Sequence, residues 1–437
     1  MIDINFIREN KEKIAQTILD KKIDLNLEYL LDVDKKRRIL RSEIDELRKK
    51  RNEIAEKIKE GKKEQSLIDN GKEVKRLINE MEEKFNKVNQ EFQRLMYFVP
   101  QISSEDTPIG KGAEDNKVVE VKGKKKKFNF KPKDHVELGK NLDILDLERG
   151  AKVGGYRSYY LKNEGVLLAM GIMMYALNKL ISEGYTPMIP PTLVKEFVLL
   201  GSGYFEGSEY DESKDNIFRI ASSKKDSVGN KVKDKMFLVG TAEPSLLAYY
   251  ANEILDIKQL PLKLCGFSQC YRSEIGSYGK DTKGIYRVHE FMKVEQIVLT
   301  EANVKESDKI QEEMINITKE MYDELGFCYR TLLMCTGEQS AGKYKYFDIE
   351  VWTPGLGRWA ETASASNFLD WQARRLNVKY KDKDGSNKFV YMLNNTALPS
   401  PRILIAILEN YQQKDGSVKI PRVLQKFVGR EAIDIKK

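Results

Sequence analysis

The sequence predicts an α+β protein: an N-terminal antiparallel coiled-coil helical hairpin, then a larger domain of paired strands and helices. Three observations carry that expectation. Two heptad stripes near the N-terminus are joined by a short polar bend, two strand-like segments flank a glycine-bearing loop, and helical and strand periodicities alternate from residue 165 onward. A chain of 437 residues has room for about two or three domains of ordinary size.

In the first stripe Leu40, Ile44, Leu47, Ile54 and Ile58 step by threes and fours, with Arg51 in the seam. In the second, Val74, Ile78, Met81, Phe85, Val88, Phe92 and Leu95 keep the same rhythm. Residues at that spacing line one side of a helix, so the stripes bury each other by folding back at Glu60-Gly61-Lys62-Lys63. The outer faces are dense in Lys, Arg and Glu. At 1.5 Å per residue, about thirty residues make a rod of roughly 45 Å. Such a rod serves as a spacer or dimer handle, or reaches a distant part of a large nucleic acid.

Pro100 is expected to end the second helix, and the charged, glycine-bearing stretch after it reads as a connector. Its run Lys124-Lys125-Lys126-Lys127 reads as a solvated linker, with phosphate contact as the minority alternative. The chain therefore reads as a first domain at 1–110 and a linker at 111–132, and the resemblance given below implies the start of the second domain, 133–437. Over 165–185, Leu167, Leu168, Gly171, Met174, Tyr175, Leu177 and Leu180 recur near helical spacing and Gly184 stops the helix. Thr186-Pro187-Met188-Ile189-Pro190-Pro191 must follow as extended chain, because proline pushes its predecessor out of the helical region.

Segments 263–271 and 291–299 are rich in β-branched and aromatic residues, with Gly276, Gly279 and Gly284 between them, which predicts a long-looped antiparallel hairpin. Cys270-Tyr271-Arg272-Ser273-Glu274 opens that loop and Arg287-Val288-His289-Glu290-Phe291 closes it. Arg272 offers a planar fork for a phosphate or carboxylate, Glu274 an acceptor, Arg287 a second cation and Phe291 a flat face for a base. Gly240-Thr241-Ala242-Glu243-Pro244 follows a strand-like Met236-Phe237-Leu238-Val239. Thr241 and Glu243 there form either a helix N-cap with an acid in the first turn or a dock for an amino group.

Phe347-Asp348-Ile349-Glu350-Val351-Trp352 alternates as a strand, and Glu361 and Ser364 lie close together soon after it. One carboxylate and one hydroxyl suit Mg²⁺, which keeps waters and is completed by nucleotide phosphates. Asn394-Asn395-Thr396-Ala397-Leu398-Pro399-Ser400-Pro401-Arg402 reads as a strand and turn leading into a helix, with Ser400 as N-cap and Pro401 at the first helical position. A cation at a helix start opposes the dipole, so Arg402 points to a negatively charged ligand or a π-face.

Arg272, Glu274, Arg287 and Phe291 in this order resemble motif 2 of the class II aminoacyl-tRNA synthetases, and the flanking residues narrow the resemblance to the seryl-tRNA synthetases. The helix, strand and proline at 165–191 resemble motif 1, which builds the dimer interface in that class, and 394–412 resembles motif 3. The resemblance covers nearly the whole chain. It implies a catalytic domain built on an antiparallel sheet flanked by helices, a homodimer, and a coiled-coil arm that grips the long variable arm of tRNA(Ser), with tRNA(Sec) a further candidate. It also implies a reaction in which ATP and L-serine form seryl-adenylate before transfer to tRNA.

Carried over residue by residue, the resemblance makes Arg272 the clamp on the serine carboxylate and α-phosphate and Glu274 the holder of the adenine amino group. Phe291 and Arg402 take the two faces of adenine, while Arg287 and Arg402 reach the phosphates. Glu361 and Ser364 hold Mg²⁺. Glu295 and Thr396 receive the serine hydroxyl, Thr241 and Glu243 face the α-amino end, and Asn394 joins the serine set. Two departures stand out. Glu361-Thr362-Ala363-Ser364-Ala365-Ser366-Asn367 replaces the usual Glu-Ile-Ser-Ser-Cys-Ser-Asn, and Pro401 stands where many bacterial members have glycine. An inactive paralogue that binds tRNA or other partners is the rival reading.

Composition agrees. A net charge of +8 with 32% charged residues fits a soluble protein with a polyanionic partner, though so modest an excess is equally common in proteins with none. Cys265, Cys270, Cys328 and Cys335 have no metal-ligand spacing and read as buried reduced thiols, which favours a cytoplasmic address. The only histidines, His135 and His289, lie near no nucleophile signature and read as structural polar contacts. The segment Met1-Ile2-Asp3-Ile4-Asn5-Phe6-Ile7-Arg8-Glu9-Asn10 has no apolar core of signal-peptide length, and no segment is read as approaching a bilayer-spanning run.

Overall fold

The computed structural model describes residues 1–61, 64–205, 207–221, 235–275 and 283–435. They form two compact units, Met1–Pro100 and Gln101–Lys437. In the first, α1 (Ile4–Glu9) and α2 (Lys11–Asp20) precede two long helices, α3 (Leu27–Lys59) and α4 (Gln65–Met96). Asn26 caps α3 by accepting from the Tyr29 amide at 3.0 Å. Ile54, Val74 and Ile78 pack as one buried cluster with Leu47 and Ile58 against it, so the two stripes do zip together. Arg51, expected in the seam, is exposed, and its guanidinium meets Asn52 at 3.3 Å. Burying an unpaired cation costs more than its flexible stem gains there. Arg48 instead bridges the helices to Glu82 at 2.7 Å, and Arg37 lies 4.2 Å over the Phe92 ring. Helix α4 stops at Met96, short of Pro100, and Lys62 and Lys63 of the expected bend lie outside the described residues.

The second unit is organised by an eight-stranded sheet. Its strands are β1 (Lys117–Lys122), β2 (Thr186–Met188), β3 (Leu262–Tyr271), β4 (Glu290–Thr300), β5 (Tyr329–Leu333), β6 (Lys345–Thr353), β7 (Arg358–Asn367) and β8 (Tyr391–Pro399). In space they run β1-β5-β6-β7-β8-β4-β3-β2. All neighbouring pairs are antiparallel except β2 with β3. The predicted hairpin is β3 and β4, in register from Tyr271↔Glu290 to Leu262↔Leu299. Gly276 and Gly279 lie outside the described residues.

Two expectations are corrected. Strand β1 falls within 111–132, expected as a connector, and pairs with β5 along the sheet edge. Its lysines point to water and gave it a linker's composition, while its valines favour the pleat. The four-lysine run is not merely solvated either: the Lys125 ammonium sits 3.4 Å from the Trp352 ring centre and that of Lys126 3.5 Å from Tyr411's.

Three helices, α5 (Glu164–Ser182), α7 (Val304–Glu324) and α8 (Ser400–Tyr411), pack with the sheet in one core; α6 (Glu243–Ala248) lies between β2 and β3 in the chain. By length and composition α5 could cross a bilayer, with a mean hydropathy of 1.5, contrary to the expectation that no segment approaches such a run. Half of it is buried inside the unit, where Leu168, Ile172 and Leu180 are fully covered.

Alternation along the central strands separates two faces. Gln296 of β4 and Asn395 of β8 donate to Thr318 of α7 at 3.2 and 2.9 Å, so that face is turned to the helices. Phe291, Lys293 and Glu295 occupy the other. His135 is buried between Glu409, 3.1 Å from Nδ1, and the Ile285 amide, which donates to Nε2 at 3.3 Å. All four cysteines are free and buried.

Candidate active site

Two irregularities in the ladders shape the face opposite the helices. Between Val294 and Glu295 the pairing with β8 shifts by one, Ala397 is left over, and Glu295 comes to oppose Thr396. Between Ile349 and Glu350 the pairing of β6 with β7 shifts likewise, leaving Thr362 over. Glu361 and Ser364 are three residues apart, a spacing that in a regular strand puts side chains on opposite faces; the bulge turns them to the same side.

The resulting cleft has a volume of about 440 Å³. Arg272, Glu274, Arg287, Phe291, Glu361, Ser364 and Arg402 of the expected nucleotide set line it, together with Glu243, Glu295, Asn394 and Thr396 of the expected serine set. Thr241 is the exception: it is buried behind the cleft wall and reaches Glu295 Oε2 at 3.3 Å.

At one end, Arg272 is fixed from three directions. Its amide donates to the His289 carbonyl at 2.9 Å, its Nε donates to the Gly240 carbonyl at 3.2 Å, and its own carbonyl accepts from His289 Nδ1 at 2.9 Å. The guanidinium carbon stands 5.4 Å from the Phe291 ring centre. Arg287 pairs with Glu274 at 2.9 Å. Arg402 pairs with Glu361 at 3.0 Å and lies 4.6 Å over the Tyr286 ring. Burial alone would raise the Glu361 pKa, but the charges of Arg402, Arg272 and Arg287 outweigh it and hold the carboxyl below its usual value.

At the other end, hydroxyls and a cation converge on one buried carboxylate. Thr396 donates to Glu295 Oε2 at 3.2 Å, and the Lys293 ammonium forms a salt bridge to the same oxygen while standing 3.3 Å from Thr396 Oγ1. Asn394 Nδ2 reaches Glu243 at 2.7 Å and Glu295 at 3.3 Å. Gln372 donates to Glu243 at 2.8 Å. Burial, then the neighbouring charge of Glu295, pushes the Glu243 carboxyl up to about 7.

Two helix starts differ from expectation. Ala242, not Thr241, is the N-cap of α6, and the Thr241 hydroxyl lies 3.5 Å from the Glu243 amide. A buried carboxylate is the stronger acceptor, so the hydroxyl turns to Glu295. Helix α8 begins one residue early, at Ser400 with Pro399 as N-cap, and Pro401 is the second helical residue. Ser400 Oγ accepts from the Met292 amide of β4 at 3.2 Å instead of capping. Pro401 still loses no helical bond, because the first amides of a helix have no internal acceptor.

Sequence reasoning missed several cleft residues. Lys293 lies two positions before Glu295 on the same strand face, so strand alternation could have found it. Tyr286, Lys343 and Asn216 line the cleft from loops that carry no periodic signal. Asp348 pairs across the sheet with Ser364, and its Oδ1 is buried without a hydrogen-bond partner among the described residues.

This largely antiparallel sheet, with three arginines, several carboxylates and an aromatic ring set around one cleft, is the core of a class II aminoacyl-tRNA synthetase. The family model for the tRNA synthetase class II core domain (G, H, P, S and T) matches residues 226–411, and that for the seryl-tRNA synthetase N-terminal domain matches residues 1–103. A serine–tRNA ligase of Borrelia garinii subsp. bavariensis is 40% identical over 98% of both chains. The crystal structure of a seryl-tRNA synthetase from Pyrococcus horikoshii complexed with ATP superposes with a TM-score of 0.89 at 36% identity, covering all of both chains. A cytoplasmic serine–tRNA ligase of Naegleria fowleri in complex with AMP gives 0.86 at 27% identity, over 100% of this chain and 99% of that one. The chain belongs to the seryl-tRNA synthetase family.

Pro401, the departure in motif 3, has a testable consequence. Pro401→Gly is expected to leave the ATP KM nearly unchanged and to cost stability of about 1 kcal/mol, because the unfolded chain gains freedom. Thermal unfolding and pyrophosphate exchange measured together decide it. A large gain in exchange without loss of stability would show that Pro401 obstructs the cleft.

Proposed function

We propose that the protein joins serine to tRNA(Ser) in two steps through seryl-adenylate. The observation that carries this is the convergence of Lys293, Thr241 and Thr396 on Glu295 Oε2, a buried polar pocket opening into a cleft edged by arginines. In the first step a serine carboxylate oxygen bonds to the α-phosphorus of ATP as the bond to the bridging oxygen breaks and pyrophosphate leaves. In the second, the terminal ribose hydroxyl of tRNA attacks the acyl carbon, loses its proton and displaces AMP. Positioning and charge stabilisation supply most of the rate in such chemistry.

Arg272 is placed to span the serine carboxylate and the α-phosphate, and Arg287 and Arg402 the outer phosphates. Glu274 reads the adenine amino group, with Phe291 and Arg402 on the two faces of the ring. Glu295 and Thr396 take the serine hydroxyl, while Thr241, Glu243 and Asn394 take its amino end. Glu361, Ser364 and the Asp348 Oδ1, which has no hydrogen-bond partner among the described residues, offer oxygens of the kind a hard cation takes, with Lys343 and Arg402 lining the same cleft. Bound there with ATP, Mg²⁺ would neutralise phosphate charge.

We place the tRNA-gripping arm in an N-terminal domain at 1–110, with 111–132 leading to the catalytic domain at 133–437. Val166, Met170, Met174 and Ile181 leave an apolar row exposed on α5, and we place the homodimer contact there. Buried free thiols fit a reducing cytoplasm. Retention of the whole candidate ATP set argues against the inactive-paralogue reading. Charging tRNA(Ser) and tRNA(Sec) side by side tests whether both are substrates.

Serine-dependent ATP–pyrophosphate exchange against a panel of amino acids tests the reading. Serine should be strongly preferred, and Thr396→Val or Glu295→Gln should lower the serine-over-alanine ratio of kcat/KM by about tenfold or more, since a group left unpaired on losing the hydroxyl costs about 1–3 kcal/mol. An unchanged ratio in both variants would sink the pocket assignment.

A further inference from the structure

The stretch 207–220 borders the cleft and reaches the motif 2 loop through one side chain. Asn216 Oδ1 accepts from the Glu274 backbone amide at 2.5 Å and from Ser273 Oγ at 3.3 Å. Asn216 is itself held in a braced turn: Asp215 Oδ2 accepts from the Asp211 amide at 2.7 Å, the Ile217 amide donates to the Asp215 carbonyl at 2.8 Å, and Tyr210 donates to the Ile217 carbonyl at 3.2 Å.

Glu274 needs such support. Its φ is +55°, in the left-handed region that a long L side chain adopts only when its surroundings hold it there. Strand β3 ends at Tyr271, so the ladder no longer restrains the chain at this point. Arg287 holds the Glu274 carboxylate at 2.9 Å, which fixes the far end of the side chain but leaves the backbone rotation open. The Asn216 amide closes that freedom, and the carboxylate of a residue turned out of the left-handed region would point away from the cleft.

We infer that Asn216 is a positioning residue for base recognition: by holding Glu274 in its left-handed conformation, it makes the cleft select adenine. This rests on the proposed role of Glu274 as the reader of the adenine amino group. It adds a residue from outside the motif 2 segment, on a stretch that also lines the cleft with Lys214 and Asp215.

The test compares the full-length protein with Asn216→Ala and Asn216→Asp, the latter keeping an acceptor oxygen in the same place. ATP and GTP binding are read by titration calorimetry and, in parallel, by exchange kinetics. Asn216→Ala is expected to weaken ATP binding about tenfold and to lower the ATP-over-GTP ratio by about fivefold, the scale of one lost hydrogen bond to a strained site. Serine KM and kcat at saturating ATP should stay within about twofold, and Asn216→Asp should stay near wild type on every measure. Asn216→Ser, too short to reach the Glu274 amide, replaces the alanine variant if the latter fails to fold. Unchanged ATP binding and ratio, a parallel rise in serine KM, or equal losses in Asn216→Asp and Asn216→Ala would overturn the assignment. A wild-type protein that binds ATP but shows no serine-dependent exchange would sink the proposed reaction and leave the calorimetric comparison standing.

Discussion

Replacing Arg272 with alanine is expected to lower serine-dependent pyrophosphate exchange by about 10³-fold or more while the protein stays folded, since a preorganised donor to developing charge is worth about 10²–10³ by itself and Arg272 serves two groups. The side chain is partly exposed at the cleft, and its ties are to backbone carbonyls through Nε and the main chain. Truncation therefore removes the fork and leaves β3 and β4 paired. Arg272→Lys should recover little, because an ammonium cannot grip carboxylate and phosphate with a planar pair of donors. The measurement is exchange at saturating ATP and serine, with thermal unfolding as the control. A loss below about tenfold would remove Arg272 from the centre of the reaction, as so small an effect is within reach of one ordinary hydrogen bond.

Deleting Leu40 to Leu95 and joining the ends with a short linker should preserve exchange and abolish tRNA charging. The two long helices bury their stripes in each other, around Ile54, Val74 and Ile78, so their removal takes away a core of their own. Every described residue lining the cleft lies between Gly203 and Arg402, within the second unit. The arm's outer faces carry Lys, Arg and Glu at high density, and its cations are the groups that would meet a phosphate backbone. The expected signature is a charging rate near background beside an exchange rate within about threefold of wild type, since parts with separate cores and no shared partners act additively. Loss of both activities in a folded protein would show that the arm is not separable from activation.

The departure of Arg51 from the seam shows where periodicity stops being informative. The heptad position was right, but a cation with a long stem escapes to water, and only the partner helix decides whether it has anything to pair with there. The linker reading failed for a related reason. Lysines in β1 look the same in a solvated tether and on the edge strand of a sheet, and the pairing with β5 that separates the two is a contact between residues some two hundred positions apart. Helix starts were wrong by one residue at Thr241 and Ser400, because both hydroxyls found partners on β4 that local rules cannot see.

By itself the sequence determined what repeats or recurs locally. The hairpin of α3 and α4, the β3–β4 pair, and the residue types around Arg272, Glu361 and Arg402 are set by spacing within one element or by a motif within one segment, where neighbouring side chains have few alternatives. Tertiary structure decided what faces what. Two bulges, each a single unpaired residue at Ala397 and Thr362, bring Glu295 opposite Thr396 and turn Glu361 and Ser364 to one side. Lys343, Asp348 and Asn216 enter the site through contacts between separate elements. A one-residue shift in a ladder exchanges the two faces of a strand, and that shift is set by packing between distant strands, so no window of the sequence contains it.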